Sequence, residues 1–152
     1  MEYQIFTLKN GIRVIHQQVD SPVAHFGVIV NTGSRDELEH EQGMAHFIEH
    51  CLFKGTKKRS VLQVISSIDS VGGELNAYTS KEETCIYASF HKDFTDRAYD
   101  LVSDIVFHSV FTYAQNYDLD LRWKVIDTPV IFPDNFTDWI KRNIGEKYSG
   151  YN

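Results

Sequence analysis

The stretch Gly43-Met44-Ala45-His46-Phe47-Ile48-Glu49-His50-Cys51-Leu52-Phe53 contains an H-x-x-E-H array made of His46, Glu49 and His50. If this stretch is helical, the two histidines lie on one face, one turn from each other. Two imidazoles at that spacing can hold a zinc ion when further ligands come from elsewhere. Glu49 lies beside them and can take the proton of a water molecule whose pKa the metal lowers to about 7. The array is therefore a candidate metal site with a candidate base.

A simpler interpretation of the array is two surface histidines paired with a glutamate on an amphipathic helix. Seven histidines in 152 residues make a chance pair at this spacing common. The flanking side chains favour the metal, because four apolar residues predict a largely buried helix: Phe47, Ile48, Leu52 and Phe53. Two buried histidines and a buried carboxylate need partners, since uncompensated polar burial is costly. A metal would satisfy all three.

Composition limits the classes of function. The length suits one domain, and 42% hydrophobic residues supply a core. The net charge of −6 and the lack of a long basic tract argue against nucleic-acid binding. No segment has the length of a membrane span, and the first residues lack the pattern of a signal peptide. Two cysteines do not make a disulfide framework, so we expect a reducing, cytoplasmic location and no membrane partner.

Two features next to the array have structural interpretations. On a helix, Cys51 points about 100° away from His50, which predicts a small buried side chain and not a ligand. A basic cluster follows the helix and is predicted to complement its C-terminus or to cap a loop. This cluster consists of Lys54, Lys57, Lys58 and Arg59.

Hydrophobic periodicity predicts the element order β-β-β-α-α-β-β-α. The predicted elements are strands at 3–8 and 12–17 joined by an Asn10-Gly11 turn, a strand at 23–30, helices at 43–53 and 61–71, a short strand within 72–79, a strand at 84–90, and a helix at 94–107. This order is typical of an α+β domain with an antiparallel sheet and helices packed on one face.

Three of these elements carry a specific prediction about burial. The nearly continuous apolar run at 23–30 predicts a central strand buried on both faces, with His25 on a sheet face. The helix at 61–71, capped by Ser60, is predicted to turn five residues inward: Val61, Val64, Ile65, Ile68 and Val71. The last helix is predicted to bury Phe94, Ala98, Leu101, Val102 and Ile105.

The segment 112–152 has a different character. It is dense in Tyr, Asp and Trp, lacks clean periodicity, and is interrupted by Pro129 and Pro133. Asp134 can cap a final helix that Gly145 ends. We therefore expect a domain at 1–111 and a divergent or shortened C-terminal segment of the same domain at 112–152.

Over residues 3–111 the chain resembles the pitrilysin family of zinc metallopeptidases, which includes insulin-degrading enzymes and mitochondrial processing peptidases. The resemblance lies in several separate blocks that follow one another in the right order. The blocks are LKNGIRV at 8–14, GSRDE at 33–37, GMAHFIEH at 43–50, FKGT at 53–56 and GGELNAYT at 72–79, with Glu83, Thr84 and Tyr87.

The resemblance implies that His46 and His50 are ligands of Zn²⁺ and that Glu49 is the general base. It also implies that the strand around Asn76 and Ala77 is a sheet edge to which a peptide substrate adds as a further strand. Structural interpretations stay open for two residues of these blocks. Asn76 can be a turn-forming residue after two glycines, and Glu83 can be a solvated loop carboxylate.

The chain departs from the family at the third zinc ligand. The family takes that ligand from a glutamate far downstream, whereas no glutamate occurs here between Glu83 and Glu146. Spacing indicates Asp127, but the Asp-Thr-Pro that begins at Asp127 resembles a family segment beyond the ligand helix. That alignment instead brings Asp120 next to the ligand position. The third ligand is therefore unassigned, with Asp118, Asp120 and Asp127 as candidates.

The family also closes two or four such domains around its substrate. We therefore expect a truncated or internally deleted form, or one half of an assembly, whose partner is a second copy or a second pitrilysin-like subunit. The leading hypothesis is a zinc metalloendopeptidase domain, incomplete in this chain and with little turnover alone. The alternatives are a non-catalytic subunit that binds zinc or peptide, a zinc-stabilised structural domain, and a small-molecule zinc lyase. The block at 72–79 argues against the lyase.

Overall fold

The computed structural model describes residues 3–110, and all structural statements concern this part of the chain. Its strands and helices are β1 (Gln4–Thr7), β2 (Arg13–His16), β3 (Val23–Val30), α1 (Met44–Leu52), α2 (Val61–Asp69), β4 (Glu74–Thr79), β5 (Thr84–His91) and α3 (Thr95–His108). The predicted element order and the α+β class are confirmed. The predicted segment 112–152 and the candidate ligands Asp118, Asp120 and Asp127 lie outside the described residues.

The strands form two antiparallel sheets. β1 and β2 make a hairpin whose turn contains Gly11 at φ +90°, a left-handed conformation that explains the Asn10-Gly11 signal. The main sheet has the order β3-β5-β4. The prediction that β3 is central and buried on both faces is wrong, because β5 is the central strand. Among the described strands β3 lies at an edge, and only its alternate side chains are partly buried, among them Phe26.

The core lies between the main sheet and the helices. Its buried residues are Leu52, Val64, Ile68, Ile86, Ala88, Phe90, Ala98, Leu101, Val102 and Ile105. The inward face predicted for α3 is confirmed except for Phe94, which lies in the turn before the helix and is half-buried. For α2 the prediction is wrong at Val61 and Ile65, which are exposed. α2 packs against α3 and β4 through a narrower strip around Val64 and Ile68.

The described helices are short. α3 is the longest, with 14 residues. Within residues 3–110, no helix has both the length and the apolar character needed to cross a bilayer.

A buried carboxylate attaches the loop after α1 to α3. Asp104 on α3 is only 2% exposed, accepts a 2.6 Å hydrogen bond from the Thr56 hydroxyl, and pairs with Arg59. Arg59 also pairs with the exposed Asp100. Arg59 of the basic cluster therefore connects this loop to α3, whereas the sequence predicted that the cluster would complement the end of α1 or cap a loop. Backbone hydrogen bonds from Lys57 to His108, and from Val110 to Gly55, reinforce this attachment.

The pKa of Asp104 is lowered. Burial opposes the charged form, but the hydrogen bonds from Thr56 and Arg59 and the charge of Arg59 outweigh it. A carboxyl whose pKa is lower in the folded than in the unfolded state stabilises the fold above its unfolded pKa. That contribution is therefore present at neutral pH and is lost as the pH falls through the lowered pKa.

We expect Asp104→Ala to reduce the free energy of unfolding by about 3 kcal/mol at pH 7, because Arg59 and Thr56 lose a buried charged partner. Asp100→Ala is the matched control. Asp100 binds the same arginine but its side chain is 61% exposed, so its loss should cost less than about 1 kcal/mol. Urea unfolding measures both values, and the Asp104→Ala deficit should shrink in acid. Equal losses in the two variants would contradict this account.

Candidate metal centre

The start of α1 is held by a carboxylate from the preceding loop. The helix follows Gly43, which has φ +89° and provides no side-chain cap. The first N–H groups of a helix lack partners inside the helix. Glu37 accepts hydrogen bonds from the N–H groups of Gly43, at 2.9 Å, and Ala45, at 2.8 Å. Its negative charge also suits the positive end of the helix dipole.

The loop that carries Glu37 is itself fixed to the turn between β4 and β5. Ser34 N–H donates to Ser80 O and Arg35 N–H donates to Lys81 O, both at 3.0 Å. Arg35 also pairs with Glu82. Gly33 lies so close to this turn that a Cβ atom would be 2.5 Å from Ser80 O. The start of α1 and the β4–β5 hairpin are therefore one connected unit.

His46 and His50 bring two ring nitrogens together. Their Nε2 atoms are 3.0 Å apart, and the rings are nearly perpendicular with centroids 4.6 Å apart. Two nitrogens bound to one tetrahedral zinc at about 2.0–2.1 Å would be about 3.3 Å apart. Small side-chain movements would bring the rings to that spacing, so the pair fits a zinc ion. A direct hydrogen bond between the rings requires a proton on one Nε2, whereas metal binding requires both to be free.

Glu49 is the more buried member of the array. Its side chain is 12% exposed, whereas that of His46 is 60% exposed. Glu49 Oε2 is 3.6 Å from His46 Nδ1 and accepts a 2.6 Å hydrogen bond from the Thr79 hydroxyl. The prediction that both histidines are buried is wrong, because His46 is exposed and His50 is only half-buried. The apolar side of α1 consists of Met44, Ala45, Ile48 and Leu52. Burial of the histidines therefore does not by itself require a metal.

Residues 3–110 bring no third His, Cys, Asp or Glu to the two histidines in a metal-binding arrangement. Cys51 is half-buried and is a free cysteine. Burial raises the pKa of its thiol to about 11, although Lys54 opposes the shift. The thiol is therefore protonated at neutral pH, which agrees with its predicted structural role.

Asn76 and Ala77 lie in β4, which among the strands of residues 3–110 is an edge strand, as predicted. The alternative that Asn76 forms a turn is wrong, because it lies inside the strand. Ser80 N–H bonds to Glu83 O at 2.8 Å, and antiparallel bonding alternates along a strand. The backbone groups of Leu75, Ala77 and Thr79 therefore face the free edge. The Ala77 N–H is taken by the side-chain oxygen of Asn76, at 2.9 Å.

Glu83 is half-buried and accepts a 2.8 Å hydrogen bond from the Tyr78 hydroxyl. This bond, together with desolvation, raises the pKa of Tyr78 to about 12. Glu83 thus stabilises the β4–β5 hairpin and is more than a solvated loop carboxylate.

Comparison with known proteins identifies the family of this chain. Residues 13–118 match the family model described as Insulinase (Peptidase family M16), which is more than half of the chain. The chain belongs to this family. The recognition made from the sequence blocks is therefore confirmed, as is the association with zinc proteases.

Individual relatives also match this M16 domain. An uncharacterized zinc protease of Bacillus subtilis, YmxG, is 39% identical over 109 residues, covering 70% of this chain and 26% of the relative. The mitochondrial-processing peptidase subunit beta of Dictyostelium discoideum is 46% identical over 111 residues, covering 72% and 24%. The chain thus spans about a quarter of the length of these curated relatives.

Two solved structures resemble the M16 domain. A protease from Helicobacter pylori superimposes with a TM-score of 0.69 at 27% identity, covering 72% of this chain and 27% of that chain. Pitrilysin superimposes with a TM-score of 0.66 at 27% identity, covering 72% and 12%. The fold assignment of this α+β domain is therefore supported by structure as well as by sequence.

Sequence reasoning gave no role to two residues that shape the site of this M16 domain. Glu37 is too far from Gly43 for the usual capping-box spacing, and no local signal identifies it. Thr79 carried a detectable signal, because it is the polar member of the series 75, 77 and 79 on one face of β4. Its two companions, Leu75 and Ala77, pack against the core, so a polar residue on the same face needs a partner.

Proposed function

We propose that this chain contains the zinc-binding half of a metallopeptidase active site, with His46 and His50 as ligands and Glu49 as general base. The observation that carries the proposal is the 3.0 Å approach of the two Nε2 atoms with the Glu49 carboxylate beside them. The names of the relatives as zinc proteases support it.

When bound, zinc polarises the substrate carbonyl and increases the acidity of water. Glu49 takes a proton from the attacking water and later gives it to the leaving amine. The position of Glu49 suits both tasks, because the carboxylate is largely shielded from solvent yet adjoins the exposed face that carries the histidines. The helix itself holds His46 and His50 on one face, close to the spacing that a zinc ion needs.

The peptide substrate adds as a strand to the free edge of β4. The outward backbone groups of Leu75, Ala77 and Thr79 provide the hydrogen bonds of such a pairing. The side chain of Asn76 now occupies the Ala77 N–H. It must turn away, or bond to the peptide itself, when a substrate carbonyl takes its place. Because β4 ends next to Glu49, a peptide on this edge passes the proposed base.

A complete active site requires a further zinc ligand, for which Asp118, Asp120 and Asp127 are candidates. A side chain of a second copy or of a second pitrilysin-like subunit could also fill this position. A relative named as a subunit is consistent with an assembly. Because the described residues provide two ligands, a non-catalytic subunit that binds zinc or peptide is the second candidate function.

We expect His46→Ala and His50→Ala each to weaken zinc binding by more than about 100-fold, since losing a residue that only orients a ligand already costs 10- to 100-fold. Cys51→Ala is the matched control, because Cys51 adjoins His50 without facing the metal site. Metal analysis and competitive titration with a chelator measure the affinities. The proposal would be contradicted if the original protein takes up no zinc, or if the variants bind zinc as tightly as the original protein.

We expect Glu49→Gln to retain zinc and to lower cleavage of a quenched fluorescent peptide by about 100-fold or more, as is usual for a general base. Turnover by this chain alone is expected to be low, so the assay needs high protein concentrations. Glu39→Gln, at an exposed position before α1, is the control. Equal cleavage by Glu49→Gln and the original protein would exclude this base. Binding of zinc and peptide without any cleavage would favour the non-catalytic subunit.

Strand addition to β4 predicts an alternating response to backbone methylation of a bound peptide. In an added strand, successive N–H groups point toward β4 and away from it in turn. N-methylation at every second position should therefore weaken binding by about tenfold, the equivalent of one backbone hydrogen bond. The positions between serve as controls. Fluorescence anisotropy of a labelled peptide series measures this, and a response without period two would rule out strand pairing.

A further inference from the structure

Thr79 joins the proposed base to the proposed substrate edge. It is the last residue of β4 and its side chain lies on the same face as Leu75 and Ala77. The Thr79 hydroxyl donates to Glu49 Oε2 at 2.6 Å. The backbone N–H and C=O of the same residue face the free edge of β4, because Thr79 and Thr84 form a pair without ladder hydrogen bonds.

This hydrogen bond leaves the two oxygens of Glu49 in different situations. Oε2 is engaged by Thr79 and is 3.6 Å from His46 Nδ1. Within residues 3–110, Oε1 receives no comparable hydrogen bond. A fixed Oε2 restricts rotation of the carboxylate and thereby presents Oε1 in one orientation. A base held in this way needs less reorganisation when it accepts a proton.

We propose that Thr79 is a positioning residue, whose side chain orients Glu49 while its backbone pairs with the peptide. This inference rests on the proposed role of Glu49 as general base. A peptide strand that orders the end of β4 would at the same time order the Thr79 hydroxyl. The orientation of the base and the docking of the substrate are thereby linked through a single residue.

The test compares Thr79→Val, which removes the hydroxyl at nearly constant volume, with Thr79→Ser, which keeps it. Thr84→Val is the matched control. Thr84 is the cross-strand partner of Thr79, and its hydroxyl donates to Thr32 O and not to Glu49. In zinc-loaded protein with ¹³C-labelled glutamate, the Glu49 carboxyl resonance is identified by its absence in Glu49→Gln. We expect it to shift in Thr79→Val and to stay unchanged in Thr79→Ser and Thr84→Val.

A kinetic measurement accompanies the spectra. We expect Thr79→Val to lower kcat for peptide cleavage by about 10- to 100-fold, the usual effect of losing a residue that orients a catalytic group. Zinc affinity and KM should stay within about twofold, since Thr79 touches neither the histidines nor the substrate side chains. Thr79→Ser should restore most of kcat. An unchanged Glu49 resonance, or an unchanged kcat in Thr79→Val, overturns the positioning role.

Two further readouts distinguish failure of the positioning role of Thr79 from failure of the proposed function. Should Thr79→Val not fold, the reciprocal measurement decides, because Glu49→Gln should shift the Thr79 methyl resonance. A methyl resonance that does not move overturns the proposal. Failure of the proposed function is seen differently, as cleavage or zinc binding that does not depend on Glu49, His46 and His50. In that case, or if cleavage is undetectable, the spectra alone decide whether Thr79 holds Glu49.

Discussion

The hydrogen bonds from the start of α1 to the Glu37 carboxylate are the contact on which the candidate site depends. α1 has nine residues and begins after a glycine that offers no side-chain cap. A helix of this length is marginal unless tertiary contacts support it. Glu37 satisfies two of its free N–H groups, and the loop behind Glu37 is bonded to the β4–β5 turn. The position of His46 and Glu49 relative to β4 is set by this chain of contacts.

The other end of α1 is fixed by a second carboxylate. The loop that follows the helix contains Thr56 and Arg59, which bind the buried Asp104 of α3. The helix therefore has one attachment to the hairpin and one to the core. Sites supported at both ends of a rigid element keep their geometry better than sites on loops. Support at both ends of α1 is consistent with the 3.0 Å approach of the two histidine Nε2 atoms.

Local patterns predicted most of this fold, and the errors have a common cause. Hydrophobic periodicity and turn residues identified every described strand and α-helix within a few residues, but not the short 3₁₀ turns. The position of β3 was predicted wrongly, because an apolar run reports strand character but not the number of neighbours. Val61 and Ile65 were placed inward because helical spacing shows which residues share a face, not how much of that face is covered. The number of strands beside a given strand and the covered part of a helix face are both set by contacts between residues distant in sequence.

In the candidate site, too, the local features were predictable and the long-range contacts were not. The array at His46, Glu49 and His50 was predictable because its geometry is set within one helical turn. Glu37 and Thr79 were not assigned roles, because each acts across the fold on a residue distant in sequence.

The proposed peptide recognition and the proposed metal binding depend on different contacts. Thr79 belongs to the free edge of β4, and its hydroxyl bonds to Glu49. All the residues that form these contacts lie within residues 3–110. The proposed zinc binding would instead require a third ligand beside His46 and His50, because structural and catalytic zinc sites use at least three protein ligands. A change at the third ligand would therefore weaken zinc binding without disturbing the peptide edge or the base. In the proposed function, peptide recognition and metal binding therefore depend on separate parts of the domain.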